Sequence, residues 1–294
     1  MSKELNIFFP TPKISWYPRN KVALNQLLNS LIPKVDYVHH DNQKPIAIIA
    51  PHAGYQYCAS CAAQAFKNLL GYSYSTVVVL GPSHSCSFRG LSIISTEWYA
   101  TPLERISINR EAVALLLRQA NISENRNAHL SEHSVDNMLP FLQHALGQFS
   151  LIPILVGDIN LNEMIQLSDI LFSSLPDDTL YVVSSDFTHY GYAYGFTPFP
   201  MDNNTKDNIR KLDMEAAKRI EKLDFKSFRE YIDRTNITIC GANAISMLIA
   251  ILNHKPQKII AKISDYYLSG DITHSYDTSV SYLSMLFDNQ TYVK

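Results

Sequence analysis

The chain has 294 residues, 46% of them hydrophobic, and a formal net charge of -2 at pH 7. That content can bury a large core. The near-balance of charge, with no Lys/Arg block, removes the electrostatic footprint of a nucleic-acid or acidic-membrane binder. No apolar run approaches the ~20 residues needed to span a bilayer. The N-terminal stretch MSKELNIFFPTPK has no basic segment followed by an apolar one, so no signal peptide is expected. Four dispersed cysteines, Cys58, Cys61, Cys86 and Cys240, are too few for a disulfide framework. A reducing, cytoplasmic setting is the expectation.

In chain order, Ile46–Ala50 predicts a strand and Ala59–Leu70 a helix, followed by strands Thr76–Leu80 and Leu91–Ser95. Helices Arg110–Ala120 and Val135–Leu146 come next, then strand Leu151–Val156, helix Leu161–Leu175 and strand Leu180–Ser184. Helices Asp207–Leu223 and Phe225–Asp233 lead to strand Ile237–Cys240 and helix Gly241–Leu252. Strands Lys258–Ile263 and Val280–Phe287 close the chain and are expected to pair antiparallel at an edge. Runs such as IAIIA and TVVVL are apolar at nearly every position, as in strands buried on both faces. The fold class is therefore α/β, a single domain over residues 1–294 with a central, largely parallel sheet flanked by helices on both faces. The irregular segments 34–44 and 197–206 read as loops rather than linkers.

Open α/β sheets bind ligands beyond the carboxyl ends of their strands. Pro51-His52-Ala53-Gly54-Tyr55 follows the first strand, and Gly81-Pro82-Ser83-His84 the second. Ser185-Asp186-Phe187-Thr188-His189-Tyr190 follows Leu180–Ser184, and Cys240 ends the strand before a helix. Separate strands thus deliver His52, His84, Asp186, His189 and Cys240 to one rim. One such histidine alone reads as structural; several together predict a metal-binding pocket. Neutral imidazole is the commonest ligand for transition metals, and a carboxylate such as Asp186 can orient it. The helix N-terminus predicts a thiolate at Cys240. Such donors suit zinc, copper or iron over magnesium or calcium.

Other patterns carry less. Cys58 and Cys61 form a C-x-x-C inside a small-residue helix and read as packing residues. HLSEH at residues 129–133 matches the H-x-x-E-H of inverted zinc peptidases, but that motif needs both histidines on one helical face. Here ENRNA before it reads as loop and the helix begins near Ser134, so Glu132 and His133 are expected to cap that helix beside the pocket. His39 and His40 read as solvated, and His144, His254 and His274 as isolated. Hydrolase-elbow, P-loop and dinucleotide motifs are absent from the sequence.

The motifs, in this order, resemble those of the Memo-like family: WYP at Trp16–Pro18, PHAGY at Pro51–Tyr55, GPSH at Gly81–His84 and TPL at Thr101–Leu103. EHS at Glu132–Ser134, LPFLQ at Leu139–Gln143, SSDFTHYG at Ser184–Gly191, ICG at Ile239–Gly241 and SGD at Ser269–Asp271 complete the set. The resemblance implies a fold like that of the class III extradiol dioxygenases, non-haem iron enzymes that open catechol rings. It also implies that His52, His84 and Cys240 are metal ligands, with iron or copper expected and zinc compatible. His189 would hold the dioxygenase acid/base position, with Asp186 beside it. Cysteine replaces the carboxylate of the dioxygenase triad, which weighs against ring opening. Ser85-Cys86 stands where a second histidine is common. Animal members of the family are described as metal-binding, redox-linked proteins and as adaptors that recognise phosphotyrosine peptides in cell-motility signalling. Two functions are therefore expected: a metal-dependent oxidoreductase acting on a small molecule, or a non-enzymatic protein whose vestigial pocket binds an anionic or peptide ligand. Neither involves nucleic acid or membrane.

Overall fold

The computed structural model describes residues 6–11, 16–33 and 44–289. The expected loop over 34–44 lies outside these except for Lys44, and so do His39 and His40. Twelve strands form among the described residues. They are β1 (Ile7–Phe8), β2 (Pro45–Ala50), β3 (Thr76–Pro82), β4 (Leu91–Ile93), β5 (Trp98–Ala100) and β6 (Arg105–Ile108). The rest are β7 (Ile122–Glu124), β8 (Ser150–Val156), β9 (Thr179–Ser184), β10 (His189–Tyr190), β11 (Ile259–Leu268) and β12 (Ser279–Asn289). The sheet runs β1-β5-β6-β8-β3-β9-β2-β12-β10.

Its centre is the block β6, β8, β3, β9 and β2, all mutually parallel. Every residue of Thr76–Pro82 and Thr179–Ser184 is buried, as the all-apolar runs require. The helices gather into two packed groups, one containing Lys21–Leu31, Tyr55–Phe66 and Leu139–Leu146. The other contains Arg110–Leu116, Leu161–Ser174, Phe225–Thr235 and Ala242–Asn253. The parallel block therefore points the carboxyl ends of β2, β3 and β9 the same way, and His52, His84 and Asp186 follow those ends directly.

β11 and β12 pair antiparallel as expected, but β12 also pairs with β2 and so joins the sheet interior. The expected strand Ile237–Cys240 is irregular instead. Thr238 takes the place of a ladder partner: its hydroxyl accepts the His189 N–H and donates to the His189 carbonyl, both at 2.8 Å. A side chain thus satisfies the backbone groups that a strand neighbour would have bound. ENRNA, read as loop, carries the start of a short helix, Arg126–Leu130, because the Asn125 side chain caps the Ala128 N–H. The expected helix Val135–Leu146 begins as a 3-10 turn at Asp136–Met138 and becomes α only at Leu139.

Candidate functional site

His52 sits on the turn after β2, buried and held on several sides. Asp186 Oδ1 accepts the backbone N–H groups of His52 and Ala53 at 2.8 and 3.3 Å. Asn137 Nδ2 donates to the His52 carbonyl at 2.5 Å. The ring Nδ1 lies 2.7 Å from Ser184 Oγ. Ser184 spends its single proton on the Ser134 carbonyl at 2.5 Å, so its oxygen must accept from His52 Nδ1–H. The proton is therefore on Nδ1, and Nε2 presents a lone pair. Burial, with repulsion from His84 and His133, holds the His52 imidazole well below its ordinary range and keeps it neutral.

Glu132 fixes two more imidazoles. Its carboxylate lies 2.9 Å from His84 Nδ1 and 3.2 Å from His133 Nδ1, and accepts the backbone N–H groups of His84, His133 and Ser134. Burial pushes the Glu132 carboxyl up, but the hydrogen bonds from His133 and His84 outweigh it and hold the group far below the usual carboxylate range. An ionised acceptor requires a proton on Nδ1 of both rings and so turns each Nε2 away from Glu132. Ligand atoms of His52, His84 and His133 all lie within 4.8 Å of one another. Three imidazoles, each oriented from behind by an oxygen, form a donor set that fits a transition-metal ion.

The sequence reading missed His133 as a site residue, because it follows a short helix and not a strand. The one signal in the sequence was the adjacent Glu132; in the structure Trp16 stacks on the His133 ring at 4.0 Å. The peptidase pattern fails for a geometric reason. His129 is buried away from this group and its Nε2 lies 3.1 Å from the Ser92 carbonyl. Burial pushes the His129 imidazole down to about 4, against its hydrogen bond to Ser92. An unfolded histidine titrates near ~6.5, so acidification protonates the unfolded chain first and stability falls as pH drops from there towards the folded value. The expected loss at about pH 5 is roughly 2 kcal/mol. His129→Gln, whose amide nitrogen reaches as far as Nε2 and keeps a donor for Ser92 but does not titrate, should lose less stability than wild type between about pH 7.5 and 5 in urea unfolding. Equal losses would show that His129 is not the group responsible.

Cys240 Sγ lies 3.3 Å from His52 Nε2 and accepts the Asp186 N–H at 3.2 Å. Two donors bound to one ion at about 2.0 and 2.3 Å would sit roughly 3.5 Å apart in tetrahedral geometry. The Cys240 position is thus compatible with sharing an ion with His52. The close approach depends on Gly241, where a Cβ would fall 2.5 Å from Ser185 Cβ. Against the expectation of a thiolate, burial and the neighbouring Asp186 push the Cys240 thiol up, so the metal-free side chain is neutral. A metal binding there must displace a proton.

His189 stands off from the three-histidine group. Its Nδ1 lies 2.9 Å from the Phe187 carbonyl and 3.0 Å from that of Thr238. Both are acceptors, so Nδ1 carries a proton and Nε2 is left without a backbone partner among these contacts. Burial pushes the Asp186 carboxyl up, while the charge of a protonated His189 and the His52 and Ala53 N–H groups oppose the rise.

These residues line a cleft of about 670 Å³ that includes Trp16, His52, His84, His133, Asp186 and His189. That volume lies within the ordinary range of small-molecule sites. Cys240 lines a smaller cleft of about 290 Å³ with Ser83, Cys86 and Asn243. Cys58 and Cys61 are buried on the helix Tyr55–Phe66, and desolvation raises both thiols, as packing residues require. His144 binds the Ile32 carbonyl and His254 stacks on Phe172, both away from the site.

A family model described as Memo-like protein matches residues 13–286. A memo-1 homolog from Caenorhabditis elegans is 31% identical, covering 92% of this chain and 79% of its own. Protein MEMO1 from Homo sapiens is 30% identical over 91% of this chain and 93% of its own. A MEMO1 family protein from Thermoplasma volcanium is 31% identical over 92% and 94%. A crystal structure of an uncharacterized Escherichia coli K12 protein aligns over 82% of this chain and 98% of that chain, with a TM-score of 0.49 and 12% identity. Among the described residues, no helix is long and apolar enough to cross a membrane.

Proposed function

This chain belongs to the Memo-like family, and from that premise we propose that its cleft is the centre of a metal-dependent oxidoreductase acting on a small molecule. Iron or copper would be held by His52, His84 and Cys240, with His133 as a further donor. The observation that carries the reading is the orientation of three rings: hydrogen bonds from Nδ1 to Ser184 and Glu132 fix them, and one ligand atom of each lies within 4.8 Å of the others. Zinc suits the same donors but has no redox chemistry of its own. When bound, a redox-active ion supplies electron transfer and Lewis acidity.

The chain's own residues supply the rest. His189 is anchored through Nδ1, so its Nε2 can take a proton from a substrate or return one at a fixed place in the cleft. Asp186 braces the His52 turn through two N–H groups and places its charge beside His189. Cysteine in place of a carboxylate favours redox chemistry over ring opening.

The test is spectroscopic. Copper- or iron-loaded wild type should show thiolate-to-metal charge-transfer absorption, and Cys240→Ser should abolish that band while the histidines retain metal. An unchanged spectrum would remove Cys240 from the ligand set. His189→Asn should leave metal content intact and lower turnover by about 10²–10⁴-fold. If instead a peptide or anion still binds after metal removal and no redox turnover is found, the non-enzymatic reading replaces this one.

A further inference from the structure

We propose that the chain carries a second binding site, at the opposite end of the sheet from the histidines, for a small hydroxylated carboxylate such as a sugar acid. The proposal is independent of the metal reading, since the two sites share no residue.

The site arises where two strands part. β5 and β6 form an antiparallel hairpin, with Trp98 opposite Ser107 and Ala100 opposite Arg105. Residues two apart share one face of a strand, so Trp98 and Arg105 are diagonal neighbours on one face. The turn between the strands is locked. Thr101 Oγ1 accepts the N–H groups of Leu103 and Glu104, both at 3.2 Å, and Gln143 Nε2 donates to the Glu104 carbonyl at 3.0 Å. β6 then pairs with β8 through Ser107 and Ile108, opposite Ser150 and Leu151. Ahead of that point β6 and segment 147–149 separate, and a cleft of about 350 Å³ opens there. Ser75 and Ser150, at the amino ends of β3 and β8, line it. His84, by contrast, follows the carboxyl end of β3.

Arg105 supplies the charge. Its guanidinium lies 4.4 Å from the centre of the Trp98 ring. Among the described residues no acceptor pairs with it, whereas nearby Arg110 meets Glu97 at 3.2 Å. Glu104, the one carboxylate among the described lining residues, is itself held by Lys21 at 3.1 Å. Stacking fixes the guanidinium plane against the indole and leaves its N–H edge free. That edge matches the two oxygens of a carboxylate. A single guanidinium beside Glu104 balances one negative charge, which favours a carboxylate over a phosphate dianion.

The remaining walls are polar. The hydroxyls of Ser75, Ser107 and Ser150 and the amides of Gln143 and Gln148 line the cleft. Ser107 Oγ donates to the Phe149 carbonyl at 3.1 Å, so its oxygen is left to accept. Hydroxyls and amides both donate and accept, which suits a ligand that carries hydroxyl groups beside its carboxylate.

The test uses D-gluconate and D-glucitol, which differ only in a carboxylate or a hydroxymethyl group at one end. The chain has two tryptophans, and Trp16 lines the histidine cleft. In a Trp16→Phe background, fluorescence therefore reports on Trp98 alone. Both compounds are titrated into the full chain at constant ionic strength, because exposed charges are screened by salt. The expected result is a saturable gluconate response with Kd below about 10 mM, and glucitol binding at least about tenfold weaker. Arg105→Gln should weaken gluconate by at least about tenfold, and Arg105→Lys, which keeps the charge without the fork, should fall between. Thermal unfolding checks that both variants fold. No saturable response to gluconate, an equal response to glucitol, or unchanged gluconate binding in folded Arg105→Gln would overturn the proposal.

Discussion

His52→Ala is expected to leave a folded chain that no longer retains metal. The substitution removes a buried, neutral donor oriented by Ser184, while Asp186 and Asn137 still hold the turn through its backbone and keep the chain folded. Metal affinity should fall by more than about 100-fold, beyond the 10–100-fold typical of losing an outer partner. Elemental analysis against a thermal-unfolding control measures this. Retention of the wild-type metal complement in folded His52→Ala would contradict the site.

Glu132→Ala should produce the largest loss of stability among single substitutions at the site. The carboxylate is 2% exposed and accepts from three backbone N–H groups and two imidazoles. Truncation leaves buried donors without an acceptor, and orphaning a hydrogen-bonded charge network costs about 3–5 kcal/mol. The same change releases the His84 and His133 rings, so metal affinity should drop by about 10–100-fold. Glu132→Gln keeps one oxygen acceptor but cannot serve every donor, so it should fall between wild type and Glu132→Ala on both counts. Urea unfolding and metal titration read the two effects. A Glu132→Ala protein within about 0.5 kcal/mol of wild type would show that the network carries little energy.

The parts of this architecture that were legible in the sequence are those where one physical pressure dominates. β2, β3, β8 and β9 are buried on both faces, so their sequences reduce to apolar runs that nothing else explains. The strand-end rule then pointed to His52, His84 and Asp186. The Ile237–Cys240 expectation failed because a threonine hydroxyl, and not a strand, satisfies the backbone around His189. β1 spans two residues, too short for any periodicity. His133 was hidden by a different cause: its role comes from Glu132 serving two rings from distant loops at once, a relation that exists only in three dimensions. The charge of Cys240 was likewise set by burial beside Asp186, which sequence position at a helix start does not reveal.

Metal content after anaerobic purification and loading is the most direct measure of the central claim. The wild-type chain should take up about one iron or copper ion per molecule, and the His52→Ala, Cys240→Ser double variant none. A wild-type protein that stays metal-free under both iron and copper loading would contradict the account.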